Sequence, residues 1–165
     1  MLRSVVVLFA VAMTSFSTGF AQVAVHVTPP DVNGTRTLQE QTATAAIRDY
    51  LEAWQSFKTA LEQNRIDVLD RDFVGTEKDK LIQTIQEQDA AGIRTSYQDR
   101  VHDIQIVFYS PDGLSLELTD NAEYDVKVFD HNKSVGTQRV RTRYIAVMTP
   151  AETRWRVRVF EAVNE

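Results

Sequence analysis

A chain of 165 residues in which 43% are hydrophobic is long enough to form one domain with a substantial core. The formal net charge of −5 argues against a nucleic-acid partner, because domains of that class usually carry a basic surface. The lack of cysteine excludes disulfides, a thiol nucleophile and cysteine metal sites, so the domain depends on packing for its stability.

Residues 1–21 have the pattern of a secretory signal peptide. Arg3 supplies the positive charge, Val5–Met13 the apolar segment, and Gly19–Ala21 the small residues of a cleavage site. The apolar segment is too short to span a bilayer, and an uncleaved N-terminal anchor is the alternative. The sequence therefore predicts an exported protein, periplasmic or secreted, with no membrane attachment after cleavage.

Residues 22–41 contain turn-forming residues and no apolar period, so a flexible tether is predicted there, followed by a folded domain over residues 42–165. The domain begins with a predicted helix, Thr42–Asn64, whose apolar side chains recur at the spacing of one helical face. These side chains are Ile47, Tyr50, Leu51, Trp54, Phe57 and Leu61. A short helical turn follows, and then a helix that starts at Thr76 and stops at Gly92.

Beyond Gly92 the apolar period changes to two, which is the period of strands. Four strands are predicted: Val101–Tyr109, Leu114–Phe129, Thr137–Thr149 and a last one from Trp155 onward. In the second of these, Asp120 places a carboxylate on the apolar side, so a bulge is predicted at Asp120–Asn121. Matching the apolar faces of the last hairpin pairs Met148 with Trp155. Helices followed by antiparallel strands predict an α+β fold, with N-terminal helices packed on a strongly bent antiparallel sheet of about four strands.

The predicted register places arginines on the outer sheet face, away from the helices. They are Arg139, Arg141, Arg143, Arg154, Arg156 and Arg158, with Ile145, Val147 and Phe160 among them. Arg141 and Arg143 are predicted to lie opposite Asp125 and Glu123. One interpretation is an anion or nucleic-acid surface, but aromatic residues for base stacking are not interleaved. The favoured interpretation is a surface for a protein partner or for a homodimer. It is formed by Arg139, Arg141, Arg143, Ile145, Val147, Arg156 and Arg158.

The residues suited to catalysis are few. His26, His102 and His131 lack the spacing of metal ligands, so no metal and no cofactor are expected. His102 and Asp103 point to opposite faces of a strand, which argues against a catalytic dyad. Asp120 is a predicted buried carboxylate near tyrosine hydroxyls, and it could act as a general base. A structural role for Asp120 at the bulge is the favoured alternative.

Residues spread from the first predicted helix to the last strand carry a resemblance to a known superfamily. They are Trp54, Lys58, Ala60, Leu61, Gly92, Tyr97, Arg143, Tyr144, Trp155, Arg156 and Val157. The chain resembles the nuclear transport factor 2-like domains, cone-shaped α+β domains with a cystatin-like fold that include ketosteroid isomerase and scytalone dehydratase. Within them it most resembles the inter-membrane-space domain of plastid-division proteins. The resemblance covers about residues 43–163 and implies a binding module without chemistry of its own.

Two functional hypotheses follow. The preferred one is a non-catalytic domain that binds a small apolar ligand or a protein partner. The residues predicted to line its pocket are Tyr50, Trp54, Tyr124, Thr142 and Tyr144. Simple core packing is the alternative for these aromatic residues, and for Trp54 it is favoured. The second hypothesis is a small isomerase, dehydratase or cyclase with Asp120 as general base. An open cavity lined by Asp120 would support this enzyme, whereas a filled cone would argue against it.

Overall fold

The computed structural model describes residues 22–32, 34 and 36–163, and the predicted signal peptide lies outside them. Its elements are β1 (Ala24–Val27), α1 (Glu40–Gln63), a 3₁₀ turn (Asp67–Leu69), α2 (Gly75–Ala90), β2 (Ile93–Tyr109), β3 (Leu116–Asp130), β4 (Lys133–Pro150) and β5 (Trp155–Val163). The helices pack on one face of a sheet with the order β1-β2-β3-β4-β5. The predicted α+β fold is confirmed, but the sheet has five strands and is mixed, because β1 is parallel to β2.

The additional strand comes from the segment predicted to be a flexible tether. Residues 24–27 pair with residues 101–104 of β2, and beyond them the Thr28 amide donates to the carbonyl of Ile104 at 2.9 Å. The alternation of Val23, Val25 and Val27 is the sequence signal of this strand. It spans only five residues and ends shortly before two prolines, which is why the composition of the whole segment predicts a tether instead.

The core lies between α1 and the inner face of the sheet, and Trp54 is at its centre. The Trp54 side chain is 1% exposed. Its indole packs against rings from α1 and from four strands, namely Phe57, Tyr97, His102, Tyr124, Tyr144 and Phe160. Tyr124 and Tyr144 lie on the same sheet face, with their hydroxyl oxygens 2.7 Å apart. The prediction that the helix carrying Trp54 covers the apolar face of the sheet is therefore confirmed.

The predicted register between β3 and β4 is wrong by two residues. The hairpin is closed by two residues with left-handed backbone, His131 (φ 45°) and Asn132 (φ 66°), which is the conformation that two-residue hairpin turns require. This turn is shorter than predicted, and together with a bulge between Val128 and Phe129 it places Asp125 opposite Arg139 instead of Arg141.

The predicted register between β4 and β5 is also wrong. Trp155 pairs with Pro150, and Met148 pairs with Val157, because the turn lies one residue later in the chain and a bulge interrupts the ladder before Met148. As a consequence Phe160 turns inward and joins the core, so it does not lie on the outer face as predicted.

The predicted bulge at Asp120–Asn121 is absent from the described strands. Asp120 keeps a regular register, with Ile104 on one side and Tyr144 on the other. The ladder between β2 and β3 is interrupted elsewhere, between Asp99 and Val101 and again further along β2. Asp120 needs no bulge because its carboxylate finds polar partners inside the core.

The margin of β5 is covered near its start by residues that precede α2. The Val157 amide donates to the carbonyl of Asp72 at 2.8 Å, and the Val74 amide donates to the carbonyl of Val157 at 2.9 Å. Phe73 lies between them as a single bridge residue and is buried. This segment extends the sheet by one residue at that margin.

Candidate functional site

Six side chains with polar atoms contact one another between α1 and the sheet, five of them buried and Lys58 partly exposed, and together they are termed the buried cluster. They are Tyr50, Trp54 and Lys58 from α1, Asp99 and His102 from β2, and Asp120 from β3. The three helical members are spaced four residues apart, so consecutive turns of α1 present them to the same side of the sheet.

His102 lies between two carboxylates. Its Nδ1 is 2.6 Å from Oδ2 of Asp120, which also accepts a hydrogen bond from the hydroxyl of Tyr50 at 2.8 Å. Its Nε2 is 4.0 Å from Oδ2 of Asp99. Burial by itself lowers the pKa of His102, but the hydrogen bond to Asp120 and the negative charges of Asp120 and Asp99 outweigh burial and raise the pKa to about 9. The imidazole is therefore protonated at neutral pH.

Asp99 receives hydrogen bonds from Trp54 and Lys58 of α1, and a longer one from Gln55 at 3.5 Å. Trp54 Nε1 donates to its Oδ1 at 2.9 Å, and the ammonium of Lys58 donates to its Oδ2. Burial raises the pKa of Asp99, yet the nearby cation of His102 and the hydrogen bonds from Lys58 and Trp54 lower it to about 2. The cluster thus pairs two carboxylates with two cations, which is the arrangement in which buried charges are tolerated.

Asp120 has one oxygen without a partner. Oδ2 contacts His102 and Tyr50, whereas Oδ1 is the only buried side-chain polar atom among the described residues that lacks a hydrogen bond. The residue is 0% exposed, so a substrate cannot reach this carboxylate in the folded structure. Asp120 is placed on the apolar side of β3, as the sequence analysis predicted.

The residues predicted to line a pocket do not surround an open cavity. Tyr50, Trp54, Tyr124 and Tyr144 are buried and fill the space between α1 and the sheet. Thr142 is on the same face of β4 as Tyr144 but is only half-buried, and its hydroxyl donates to the carbonyl of Val163 at 3.4 Å. The cone is filled because the aromatic rings pack on one another, and this corrects the predicted pocket lining.

An open apolar groove lies instead between β1 and α1, and it is termed the strand–helix groove. Its volume is about 510 Å³, within the range of small-molecule sites. One wall is formed by Val23 and Val25 of the β1 segment and the other by Ile47 and Leu51 of α1, while the edges of Asp99 and His102 form the floor. The groove therefore opens to solvent on one side and contacts Asp99 and His102 of the buried cluster on the other.

The predicted outer face contains most of the arginines, and acidic partners neutralise some of them. Arg139 Nε is 3.2 Å from Oδ1 of Asp125, and Arg141 Nε is 2.8 Å from Oε2 of Glu123. The pairs are those expected from cross-strand neighbours, shifted by the corrected register. Arg143 and Arg158 form no ion pair with any residue that the structure describes. Arg143 lies beside the half-buried Ile145 and Val147. The surface for a protein partner remains a prediction.

Arg154 does not lie on the outer face, which corrects the prediction. Its guanidinium is largely buried and binds Oδ1 of Asp72 at 2.6 Å and Oε2 of Glu52 at 2.5 Å. It holds the β4–β5 turn against α1 and the loop before α2. Arg156 lies near this loop and donates to the backbone carbonyls of Asp70 and Arg71. Neither guanidinium is available to a protein partner, because both form hydrogen bonds within the domain.

A larger depression of about 690 Å³ lies on the outer face, and most of its lining side chains are polar. These include Asp103, Asn121, Glu123, Arg141, Thr142 and Arg143. Its charged groups are of both signs, and Glu123 and Arg141 are paired with each other. Within the described ranges, no group of three or more acidic or histidine side chains could hold a metal ion, and no helix is long and apolar enough to cross a membrane.

Sequence reasoning missed His102, Asp99 and Lys58, although two of them left a signal. Lys58 lies eleven residues after Ile47, on the same helical stripe as the core residues of α1. His102 alternates with Ile104 on β2, so the strand pattern places it on the inner face. Asp99 had no such signal, because it precedes a bulge that changes the phase of the strand.

No protein-family model and no curated protein sequence matches the chain. Among solved structures, the intermembrane-space region of the chloroplast protein ARC6 is 12% identical, with a TM-score of 0.65 over 79% of this chain and 100% of that one. A candidate scytalone dehydratase from Novosphingobium aromaticivorans is 15% identical, with a TM-score of 0.55 over 75% of this chain and 87% of that one. At these identities the likeness shows the fold, and the predicted nuclear transport factor 2-like cone is confirmed.

Proposed function

We propose that this chain is an exported, non-catalytic domain that binds a small apolar ligand in the strand–helix groove. The observation that carries the proposal is the groove itself, whose exposed lining surface is mostly apolar, although Thr44, Arg48, Glu52 and Gln55 of α1 also line it. Small-molecule sites are commonly of this kind, mostly apolar with a few polar groups that fix orientation. The ligand that suits it is an apolar molecule with one polar group directed toward Asp99 and His102. Export is supported by the signal-peptide pattern of residues 1–21.

The protonation and hydrogen bonding of the buried cluster support a binding role in preference to a catalytic one. His102 is already protonated at neutral pH, so it cannot accept a proton from a ligand. Asp120 is enclosed, and Asp99 is occupied by Trp54 and Lys58. A cluster whose charges are paired with one another stabilises the contact between α1 and the sheet, and it gives the groove a rigid floor.

A small isomerase, dehydratase or cyclase with Asp120 as general base is the second candidate. The 2.6 Å contact between Asp120 and His102 favours it, because His102 also reaches the groove and could accept a proton from a substrate after it has given its own to Asp120. One of the similar structures is a candidate scytalone dehydratase. If a turnover activity is found by screening, Asp120→Asn should abolish it while leaving ligand affinity intact; a turnover that survives Asp120→Asn would contradict the role of Asp120 as general base.

The binding proposal is tested with the apolar fluorescent dye 8-anilinonaphthalene-1-sulfonate. Leu51 contributes to the groove wall, and Leu51→Gln places an amide there with little change in size. Removing this apolar contact should weaken dye binding about fivefold to tenfold, by fluorescence titration.

The matched control makes the same chemical change at Leu114, which is 59% exposed in the turn between β2 and β3. Leu114→Gln should bind the dye with the affinity of the unaltered protein. Equal affinities for both variants, with both folded by circular dichroism, would contradict the assignment of the groove as the binding site.

A further inference from the structure

The first strand contributes almost nothing to the core, although it forms a wall of the strand–helix groove. β1 lies at the sheet margin and pairs with β2 alone. Its side chains are all at least partly exposed, with Val25 at 42% and Val27 at 51%. Segments that bury few apolar side chains open at a much lower free energy than the core strands. β1 is thus held mainly by its backbone hydrogen bonds.

Residues just after β1 attach the chain to the sheet again. The Thr28 amide donates to the carbonyl of Ile104, and the Asp31 amide donates to the carbonyl of Ile106 at 3.0 Å. The side-chain amide of Gln105 donates to the carbonyl of Pro29 at 3.1 Å. Release of β1 would therefore stop at these contacts, and residues 28–31 would act as a fixed hinge.

The position of β1 gives such an opening a consequence for the groove. With β1 paired, Val23 and Val25 close the side of the groove opposite Ile47 and Leu51. With β1 released, that wall is removed and the approach to the floor is open. On the other face of the strand, His26 Nδ1 is 2.8 Å from Oδ1 of Asp103, and this exposed contact fastens β1 without touching the groove.

From these observations we infer that residues 22–27 form a strap, which detaches from β2 to admit the ligand and pairs again to enclose it. The inference rests on the proposed function of the groove. The strap regulates entry and residence of the ligand, whereas α1 and the floor provide most of the fixed contact surface.

Hydrogen–deuterium exchange tests the strap without any ligand. Amides of residues 24–27 should exchange at least about a hundredfold faster than the paired amides of β3, while the Thr28 and Asp31 amides remain slower than those of β1. Protection of β1 equal to that of β3 would overturn the inference, whatever the groove binds.

A cross-link tests the strap during binding. His26 and Asp103 are direct neighbours across the two strands, and the chain contains no cysteine, so His26→Cys with Asp103→Cys creates a single pair on the face away from the groove. After oxidation, stopped-flow binding of 8-anilinonaphthalene-1-sulfonate should be at least about tenfold slower in both association and dissociation than for the same variant after reduction. Each single-cysteine variant serves as a control for loss of the His26–Asp103 contact.

The two failures are distinguishable. If the dye binds and its rates are the same before and after oxidation, the strap is wrong and the proposed function stands. If the dye binds no form of the protein at the groove, the proposed function is wrong and the strap has no ligand to admit.

Discussion

Raising the pH above neutrality should destabilise the folded protein through one buried side chain, His102. The groups that face it are Asp120 from β3, Asp99 from its own strand and Tyr50 from α1, with Lys58 on the far side of Asp99. The pKa of His102 is about 9 in the folded protein, against an ordinary value of 6.5. Because the folded state holds the proton more tightly, the stabilisation is fully present below pH 6.5 and is lost as the pH rises through 9.

The size of the effect follows from the two pKa values. At roughly 1.4 kcal/mol for each pKa unit, the difference between 6.5 and about 9 corresponds to about 3 kcal/mol of unfolding free energy. Tyr50 does not offset this loss by ionising, because burial and the Asp120 carboxylate hold its pKa well above its usual value of 10.

Urea unfolding followed by the fluorescence of Trp54 and Trp155 measures this loss at fixed ionic strength, from about pH 6 to about pH 10. His131→Gln is the matched control, because the His131 side chain is 80% exposed and its removal should leave the pH dependence unchanged. An unfolding free energy that stays constant over this range would refute the reasoning, as would an NMR titration that gives His102 an ordinary pKa.

Two further substitutions test the contacts of the core. Lys58→Met removes the cation from Asp99 and should lower the unfolding free energy by about 3 kcal/mol, whereas Lys127→Met at an exposed position of β3 should change it by less than about 0.5 kcal/mol in the same urea titration. Tyr144→Phe removes the hydroxyl that contacts Tyr124 and should cost about 1 kcal/mol in thermal unfolding; a more stable variant would show that this contact is unfavourable.

The packing of the helices on one face of the sheet could be predicted from the sequence, because buried residues recur with the helical period in α1 and with a period of two in the strands. The stripe through Trp54 and the alternation through Tyr124 and Tyr144 follow from helix and strand geometry alone. The same rule placed Asp120 on the inner face. The register between paired strands was harder to predict. It depends on the number of residues in each turn, and one residue more or fewer shifts every pair in the ladder.

The candidate site was harder to predict than the fold. Its floor depends on His102 meeting Asp120, and these residues come from different strands whose register the sequence fixes poorly. One wall of the groove comes from Val23 and Val25, in a segment too short to show a strong period. The predicted pocket failed for a different reason: large aromatic residues at inward positions both suit a ligand pocket and fill a core, and composition does not distinguish the two.

The bridge at Phe73 has a consequence for how this protein behaves when it is concentrated. Exposed backbone along a sheet margin is a template for adding strands from other molecules, and long flat margins lead to fibrous aggregation. Here the margin at β5 is interrupted where Val157 pairs with the segment around Phe73. Beyond that point β5 carries Arg158 and Glu161, whose charges disfavour stacking. β5 pairs only with residues 143–150 of β4, so residues 133–142 of β4 have no outer partner strand among the described residues. The uncovered part of β4 carries Lys133, Arg139 and Arg141, so charge rather than a covering strand disfavours the addition of a further strand there.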